Sequence, residues 1–350
     1  MVRGRLHGIA RYALELASRL PRLAPDLRFS ALIAPEGLPE GLGALTPRIP
    51  LHRCPATFLS PLEQPLLAAW LARLAPDLFH ATSFSLPALW PGRLVATLHD
   101  ANHLVLAEEY GPAQRLYYQL VVGPRARTAR ALITVSDFSR EELARELKLS
   151  PYRLQVIPNG VDARYQPPSA SELKDFRERR GLPPRFLLAV GNTKRFKNLG
   201  LLADLTESLP EPLVLLAGKG AAWELGFPDS TRELADLPED DMPRLYGAAT
   251  ALLLPSRYEG FGLPALEAMA CGTPVVAARA ASLPEVAGEA ALLLPPDDAR
   301  AWKDAALRLS RDEALRRELS LKGRERAARF TWEDCAQRTL TTYRRALEAR

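Results

Sequence analysis

The chain has 350 residues, 47% of them hydrophobic and 25% charged, and 46 basic against 41 acidic side chains leave a net charge of +5. That length accommodates two domains with cores of their own, and the composition excludes a disordered or fibrous chain. The excess charge is spread along the chain without any aromatic and basic recognition module, so anionic small ligands or a membrane face, and not nucleic acid, are the expected partners.

Short apolar runs alternate with helical patterns from end to end. In the first half the pattern predicts a helix over residues 9–20, a strand at 29–33, a helix at 62–74 and strands at 78–80 and 94–98. A helix at 113–129, a strand at 131–135, a helix at 137–147 and a strand at 154–157 follow. Residues 158–171, with Pro167-Pro168, read as a connector. The second half opens with a strand at 186–190, then a helix at 199–207, a strand at 213–217, a helix at 242–249 capped by Asp240-Asp241, and a strand at 251–254. Helical segments at 297–309, 313–328 and 332–347 end the chain. This alternation predicts an α/β class with two doubly wound domains, residues 1–160 and 171–330.

Residues 111–131 read two ways. Leu116, Tyr117, Tyr118, Leu120, Val121 and Val122 mixed with Arg115, Arg125, Arg127 and Arg130 suit a core-packing helix with a solvated basic end, or a helix on a membrane surface. No apolar run is long enough to span a bilayer and no signal peptide is present, so a cytoplasmic protein with peripheral contact to the inner membrane face is expected. Cys54, Cys271 and Cys335 are odd in number and far apart, which indicates neither a disulfide framework nor a zinc site.

Most of the chemical information lies in Ser256-Arg257-Tyr258-Glu259-Gly260-Phe261-Gly262-Leu263-Pro264-Ala265-Leu266-Glu267. An apolar strand, 251–254, breaks at Pro255 and the glycines, and Pro264 suits the first position of the following helix. Backbone N–H groups at that helix start, reached through glycines, form a site for phosphate. Glu259 and Glu267 beside it suit a ligand that carries hydroxyls next to its phosphates, as a sugar nucleotide does.

With its Glu-x7-Glu spacing, this segment resembles the signature of family-4 retaining glycosyltransferases. The resemblance extends in order through Val135-Ser136-Asp137-Phe138-Ser139, Ile157-Pro158-Asn159-Gly160-Val161-Asp162, Lys197-Asn198-Leu199 and Ser282-Leu283-Pro284-Glu285-Val286-Ala287-Gly288, nearly the whole chain. It implies the GT-B fold, two Rossmann-like domains facing a cleft, with residues 331–350 crossing back to the first. It also implies donor-sugar contact for His99, a phosphate-binding Lys197, Glu259 with the backbone of Gly260, Phe261, Gly262 and Leu263 holding sugar and diphosphate, and Glu267 taking the ribose hydroxyls. Gly8 matches the glycine that lets backbone approach the diphosphate or acceptor.

Residue chemistry agrees in part. His99-Asp100 directly follows a strand, where ligands of such sheets bind, although a local loop contact would use the same pair. Lys194, Arg195 and Lys197 place three cations in four residues at a helix start, suited to a leaving diphosphate or simply to solvent. Many family members carry an arginine where this chain has Asn192, so Arg195 or Lys194 is expected to substitute. Asp-x-Asp, the spacing of metal-dependent sugar transferases, does not occur, and neither a metal nor another cofactor is expected.

Only Met1 to His7 precede the first helix, and they form no apolar run, so the first strand of the fold is expected to be missing, with translation starting upstream of Met1. The expected function is transfer of a hexose from a nucleoside diphosphate, GDP-mannose first and a UDP-hexose second, to a saccharide or lipid-linked acceptor in cell-surface glycan synthesis. A catalytically silent sugar-nucleotide-binding scaffold is the alternative. A dinucleotide oxidoreductase would need Gly-x-Gly-x-x-Gly, which is absent.

Overall fold

The structure, a computed structural model, describes residues 8–33, 49–57 and 59–348. The chain divides into two compact units, Met1–Gly160 with Trp332–Arg350, and Val161–Thr331. The expected missing first strand concerns residues 1–7 and lies outside the described residues.

The first unit runs α1 (Gly8–Leu23), β1 (Ala31–Ile33), β2 (Leu51–Arg53), α2 (Glu63–Leu74), β3 (Phe79–Ala81) and β4 (Leu94–Thr97). The short helices α3 (Asn102–Val105), α4 (Pro112–Tyr117) and α5 (Gly123–Thr128) precede β5 (Ala131–Thr134), α6 (Asp137–Leu147) and β6 (Leu154–Val156). Among the described residues β1 and β2 form one parallel pair, and β3-β4-β5-β6 a separate parallel sheet in sequence order.

Alternation along these strands makes two cores, because successive side chains point to opposite faces. Leu94, Ala96 and Leu132 face one way, packed with Tyr118, Val122, Ala126, Leu143 and Leu147. Val95 and Ile133 face the other, packed with Tyr12, Leu16 and Leu20 of α1. With both faces covered, the strands need no polar side, and each fully buried leucine contributes about 1.5–3 kcal/mol. Ser136 starts α6 by accepting a 3.0 Å hydrogen bond from the Ser139 amide.

The predicted helix at 113–129 is interrupted. Residues Tyr118–Val122 form a π turn between α4 and α5. One extra residue per turn is invisible to a periodicity count.

The second unit begins with α7 (Ala170–Arg180), a helix that the sequence reading left unassigned between its connector at 158–171 and its strand at 186–190. Its signal was present, since Ser169 and Glu172 form a reciprocal capping box and Gly181 closes the helix at φ 59°. There follow β7 (Leu187–Val190), α8 (Gly200–Leu205), β8 (Leu213–Leu216), α9 (Ala221–Glu224), β9 (Arg232–Glu233), α10 (Met242–Ala248), β10 (Ala251–Leu254) and α11 (Leu263–Ala270). Then come β11 (Val275–Ala278), α12 (Leu283–Ala287), β12 (Leu292–Leu294), α13 (Ala299–Arg311) and α14 (Glu313–Ala327). The final helix, α15 (Trp332–Glu348), belongs to the first unit, where Trp332, Cys335, Ala336, Leu340 and Tyr343 join Tyr12, Leu16 and Leu20.

The second unit's six strands are parallel in the order β12-β11-β10-β7-β8-β9. Successive strands are added outward on one side of β7 and then, from β10, on the other, so the strand order reverses between β7 and β10, the switch point beyond whose carboxyl ends a crevice opens in sheets of this kind. The expected cap at Asp240-Asp241 is not formed. Asp241 sits at the start of α10 without a side-chain cap bond, because its carboxylate instead pairs with Arg180 at 2.6 Å and Arg244 at 3.1 Å.

Candidate functional site

On the second unit the residues expected to be functional gather at the switch point, on the loops that leave β7 and β10. After β7 the chain passes Gly191, where a side chain would meet Leu199 at 3.3 Å, so glycine keeps the strand end tight against 197–199. Asn192 is exposed, and its Oδ1 accepts the Lys194 amide at 3.1 Å, folding the loop back. A single turn, Arg195–Lys197, ends at Asn198 with φ 54°. The buried Asn198 amide donates to the carbonyls of Pro255 at 3.2 Å and Pro296 at 2.8 Å, tying the β7 loop to the strand ends beside it. The Arg257 amide donates to the Phe196 carbonyl at 2.8 Å and closes the same seam.

That seam fixes the central contact. Lys197 Nζ donates to Glu259 Oε1 at 2.7 Å, with side chains 15% and 10% exposed. The pair matters electrostatically, since a carboxylate beside a bound phosphate is repulsive unless a cation neutralises it. Ser282, absent from the expected set, holds the Glu259 carbonyl through its Oγ at 2.8 Å. Lys194 and Lys197 also lie 5.8 and 5.5 Å from the Phe196 ring centre, and Arg195 is exposed at the turn.

Beyond Gly260, which is partly exposed, Phe261 turns its ring into the core against Phe330, 5.8 Å away, so its contribution to a ligand is backbone only. Gly262 begins α11 at φ +96° with no side-chain cap, and a Cβ there would approach Leu283 to 2.8 Å. Leu263 is the first helical residue and Pro264 follows, so the start of α11 keeps its positive end for an anion. One turn on, buried Glu267 accepts a hydrogen bond from Tyr246 Oη at 3.1 Å. Burial and then Glu267 push the Tyr246 hydroxyl well above its ordinary pKa, so it stays a donor.

On the first unit His99 follows β4. Its Nε2 donates to the Thr82 carbonyl at 3.0 Å, and the edge of the Tyr12 ring meets its ring at 4.9 Å and 88°. Burial lowers its pKa to about 4, which makes it a neutral imidazole with the proton on Nε2. Asp100 accepts the Asn102 amide at 3.0 Å and shapes the loop into α3. Gly8 is the exposed first residue of α1.

A network that the sequence reading missed lies beneath His99. Tyr12 Oη and Thr97 Oγ1 share a 2.9 Å hydrogen bond, and His80 bridges Thr97 at 2.8 Å and Tyr343 Oη at 2.5 Å. Burial drives the His80 pKa to about 3, with His99 adding to the shift. The strand-end argument that selected His99 does not reach His80, the central residue of β3 beside Val95 of β4.

Sequence and fold comparisons place the chain in a family. The family model described as Glycosyltransferase Family 4 matches residues 6–165, and that described as Glycosyl transferases group 1 matches residues 171–326. O-antigen chain mannosyltransferase B of Escherichia coli is 32% identical over 97% of this chain and 96% of its own length. The chain belongs to the family-4, or group 1, glycosyltransferases. A D-inositol 3-phosphate glycosyltransferase of Saccharomonospora viridis is 29% identical over 87% of this glycosyltransferase and 81% of the relative. Among solved structures, Anabaena HepE in complex with UDP and glucose superimposes with a TM-score of 0.77 at 20% identity, covering 98% of both chains. Such likeness supports the GT-B fold assigned to this glycosyltransferase, with two Rossmann-like domains.

Proposed function

We propose that this glycosyltransferase transfers a hexose from a nucleoside diphosphate to a saccharide or lipid-linked acceptor in cell-surface glycan synthesis, with retention at the anomeric carbon and without a metal. The observation that carries the reading is the Lys197–Glu259 pair set beside the uncapped start of α11, with Glu267 one turn further along. Lys197, the neighbouring cations and the helix end supply positive potential where a leaving diphosphate gains charge. Glu259 accepts from sugar hydroxyls while its charge is balanced by Lys197, and Glu267 accepts from the ribose. His99, neutral and held by Thr82 through Nε2, is left with Nδ1 as an acceptor for a sugar hydroxyl.

GDP-mannose is the first donor to test, because the Escherichia coli relative is named a mannosyltransferase; UDP-hexoses come second. The departing phosphate is proposed to take the acceptor proton on the face that it leaves. A cytoplasmic location fits these donors; among the described residues no helix is long and apolar enough to cross a membrane.

The test is donor hydrolysis and transfer with GDP-mannose, UDP-glucose and UDP-galactose in excess chelator, with the product anomer read by NMR. Turnover of one donor with retained configuration is expected. An inverted product, or activity only after a divalent ion is restored, overturns the mechanism. Binding of nucleotide without turnover of any donor or acceptor supports the silent scaffold instead.

A further inference from the structure

The side of β4 that α1 covers carries polar groups that its core does not need. Tyr12 and Thr97 are fully buried, and Tyr12 packs among Leu16, Leu20, Val95 and Ile133. A leucine at position 12 would continue the stripe of Leu16 and Leu20 along α1 and leave no hydroxyl to satisfy. Instead the Tyr12 hydroxyl shares its 2.9 Å bond with Thr97, Thr97 is bonded to His80, and His80 to Tyr343 of α15. A neutral His80 has one nitrogen to donate and one to accept, so it joins both hydroxyls. Such a buried chain stabilises a fold little more than apolar residues of the same shape would; what it adds is a fixed geometry.

That geometry converges on the Tyr12 ring. It stands nearly perpendicular to the His80 ring at 6.3 Å and 85° and to the His99 ring at 4.9 Å and 88°, while Trp332 meets it at 6.2 Å. Edge-to-face contact at such separations is a favoured arrangement of ring pairs. His99 has a use for this neighbour. Its Nε2 donates to the Thr82 carbonyl at 3.0 Å, and a hydrogen bond at one nitrogen restrains that corner of the imidazole but not the tilt of its plane. Tyr12, packed at right angles and itself clamped, restrains the tilt.

We propose that Tyr12 is a positioning residue for the transfer reaction: its ring sets the plane of His99 so that Nδ1 keeps one direction, and the chain through Thr97 and His80 to Tyr343 holds the Tyr12 ring in place. This role rests on His99 accepting from a donor-sugar hydroxyl, as proposed above. It also makes α15 part of the site's construction, although Tyr343 stands three hydrogen bonds away from Tyr12.

The test uses the full chain with isotope-labelled histidine and the variants Tyr12→Leu, Tyr12→Phe, His99→Ala and the double variant Tyr12→Leu with His99→Ala. Without substrate, NMR of the wild-type protein should show a slowly exchanging His99 Nε2 proton, assigned by its loss in His99→Ala, and Tyr12→Leu should broaden or abolish that signal. In donor turnover Tyr12→Leu should lower kcat at least about tenfold while KM changes less than about twofold. Tyr12→Phe keeps the ring but frees it from Thr97, and should lower kcat about threefold; it carries the same comparisons if Tyr12→Leu fails to fold. On the His99→Ala background neither change should cost anything further, because a residue that acts through His99 has nothing left to act on. Losses that simply add in the double variant, or a His99 signal that ignores Tyr12→Leu, would overturn the role of Tyr12. Full activity of His99→Ala would overturn the reading of His99 and with it any part of Tyr12 in turnover, a failure told apart by a His99 signal that still responds to Tyr12→Leu.

Discussion

At the scale of single residues, Lys197 and Glu259 form a unit whose members have separable consequences. Lys197→Ala leaves a nearly buried carboxylate without its cation; the expected loss is roughly 2–3 kcal/mol, below that of a fully buried pair because both groups keep some solvent contact. Adding Glu259→Gln removes the stranded charge, so the double variant should recover much of that stability in a urea titration yet remain inactive. Recovery of activity along with stability would mean that the pair is only structural. Glu259→Ala alone is expected to abolish transfer. Glu267→Gln keeps an acceptor for Tyr246 but loses the charge, and should weaken nucleotide binding at least about tenfold in calorimetry through hydrogen bonds worth about 1.5–3 kcal/mol each. Glu259 and Glu267 were legible because their chemistry is local to one strand, one glycine loop and one helix start. The Lys197 contact was not, since it spans 62 positions and exists only because β7 and β10 pair in register. Ser282 and Tyr246 were invisible for the same reason.

Acidity acts at this scale too. His80 and His99 are held neutral in the folded first unit, whereas in the unfolded chain they take a proton below about pH 6.5. The unfolded state therefore binds more protons as pH falls, and the folded state loses stability in that direction. Stability of the first unit should be flat above pH 6.5 and decline from there toward pH 4, by up to about 1.4 kcal/mol per pH unit for each histidine. His80→Gln should flatten the slope in thermal melts recorded across this window; an unchanged slope would show that other groups carry it.

At the scale of elements, the turn into α11 is over-determined. Gly262 combines a positive φ with a 2.8 Å approach to Leu283, so Gly262→Ala meets both backbone strain and a clash. The expected loss is about 2–4 kcal/mol, together with weaker nucleotide binding because the helix start shifts. Leu283→Ala in the same chain removes the clash but not the strain, and should restore only part of the lost melting temperature. The sequence announced this turn through its glycines and Pro264. It did not announce the π turn at 118–122, because Tyr118 and Val122 satisfy an ordinary helical spacing and only their packing with Ala126 and Leu147 reveals the inserted residue. Asp241 shows the converse, a plausible cap drawn away by Arg180 at the end of α7 and by Arg244 within α10 itself.

At the scale of the whole molecule, the second core of the first unit depends on the last helix. Trp332, Cys335, Leu340 and Tyr343 fill the side of the sheet on which α1 lies, and Tyr343 ends the network that reaches His80. A chain ending at Thr331 should therefore lose the folded first unit, seen as loss of one calorimetric transition, while nucleotide binding by the second unit persists. Survival of both transitions would contradict the packing described for α15. The all-apolar strands made the two-layered wrapping of each sheet readable from the sequence, since strands covered on both faces need no polar side. What covers each face could not be read, because α1 and α15 stand more than 300 positions apart.

The Val161 amide donates to the Phe330 carbonyl at 2.9 Å, and Val161 bridges Thr331, so the two ends of the second unit are clasped together. During synthesis this reverses the order in which the halves are finished. The ribosome releases everything needed for the second unit before it has delivered α15, and the half begun first must wait, with one side of its sheet covered by α1 alone, until α15 emerges. A pause or an early stop between residues 331 and 348 would then be most damaging to the half that is encoded first.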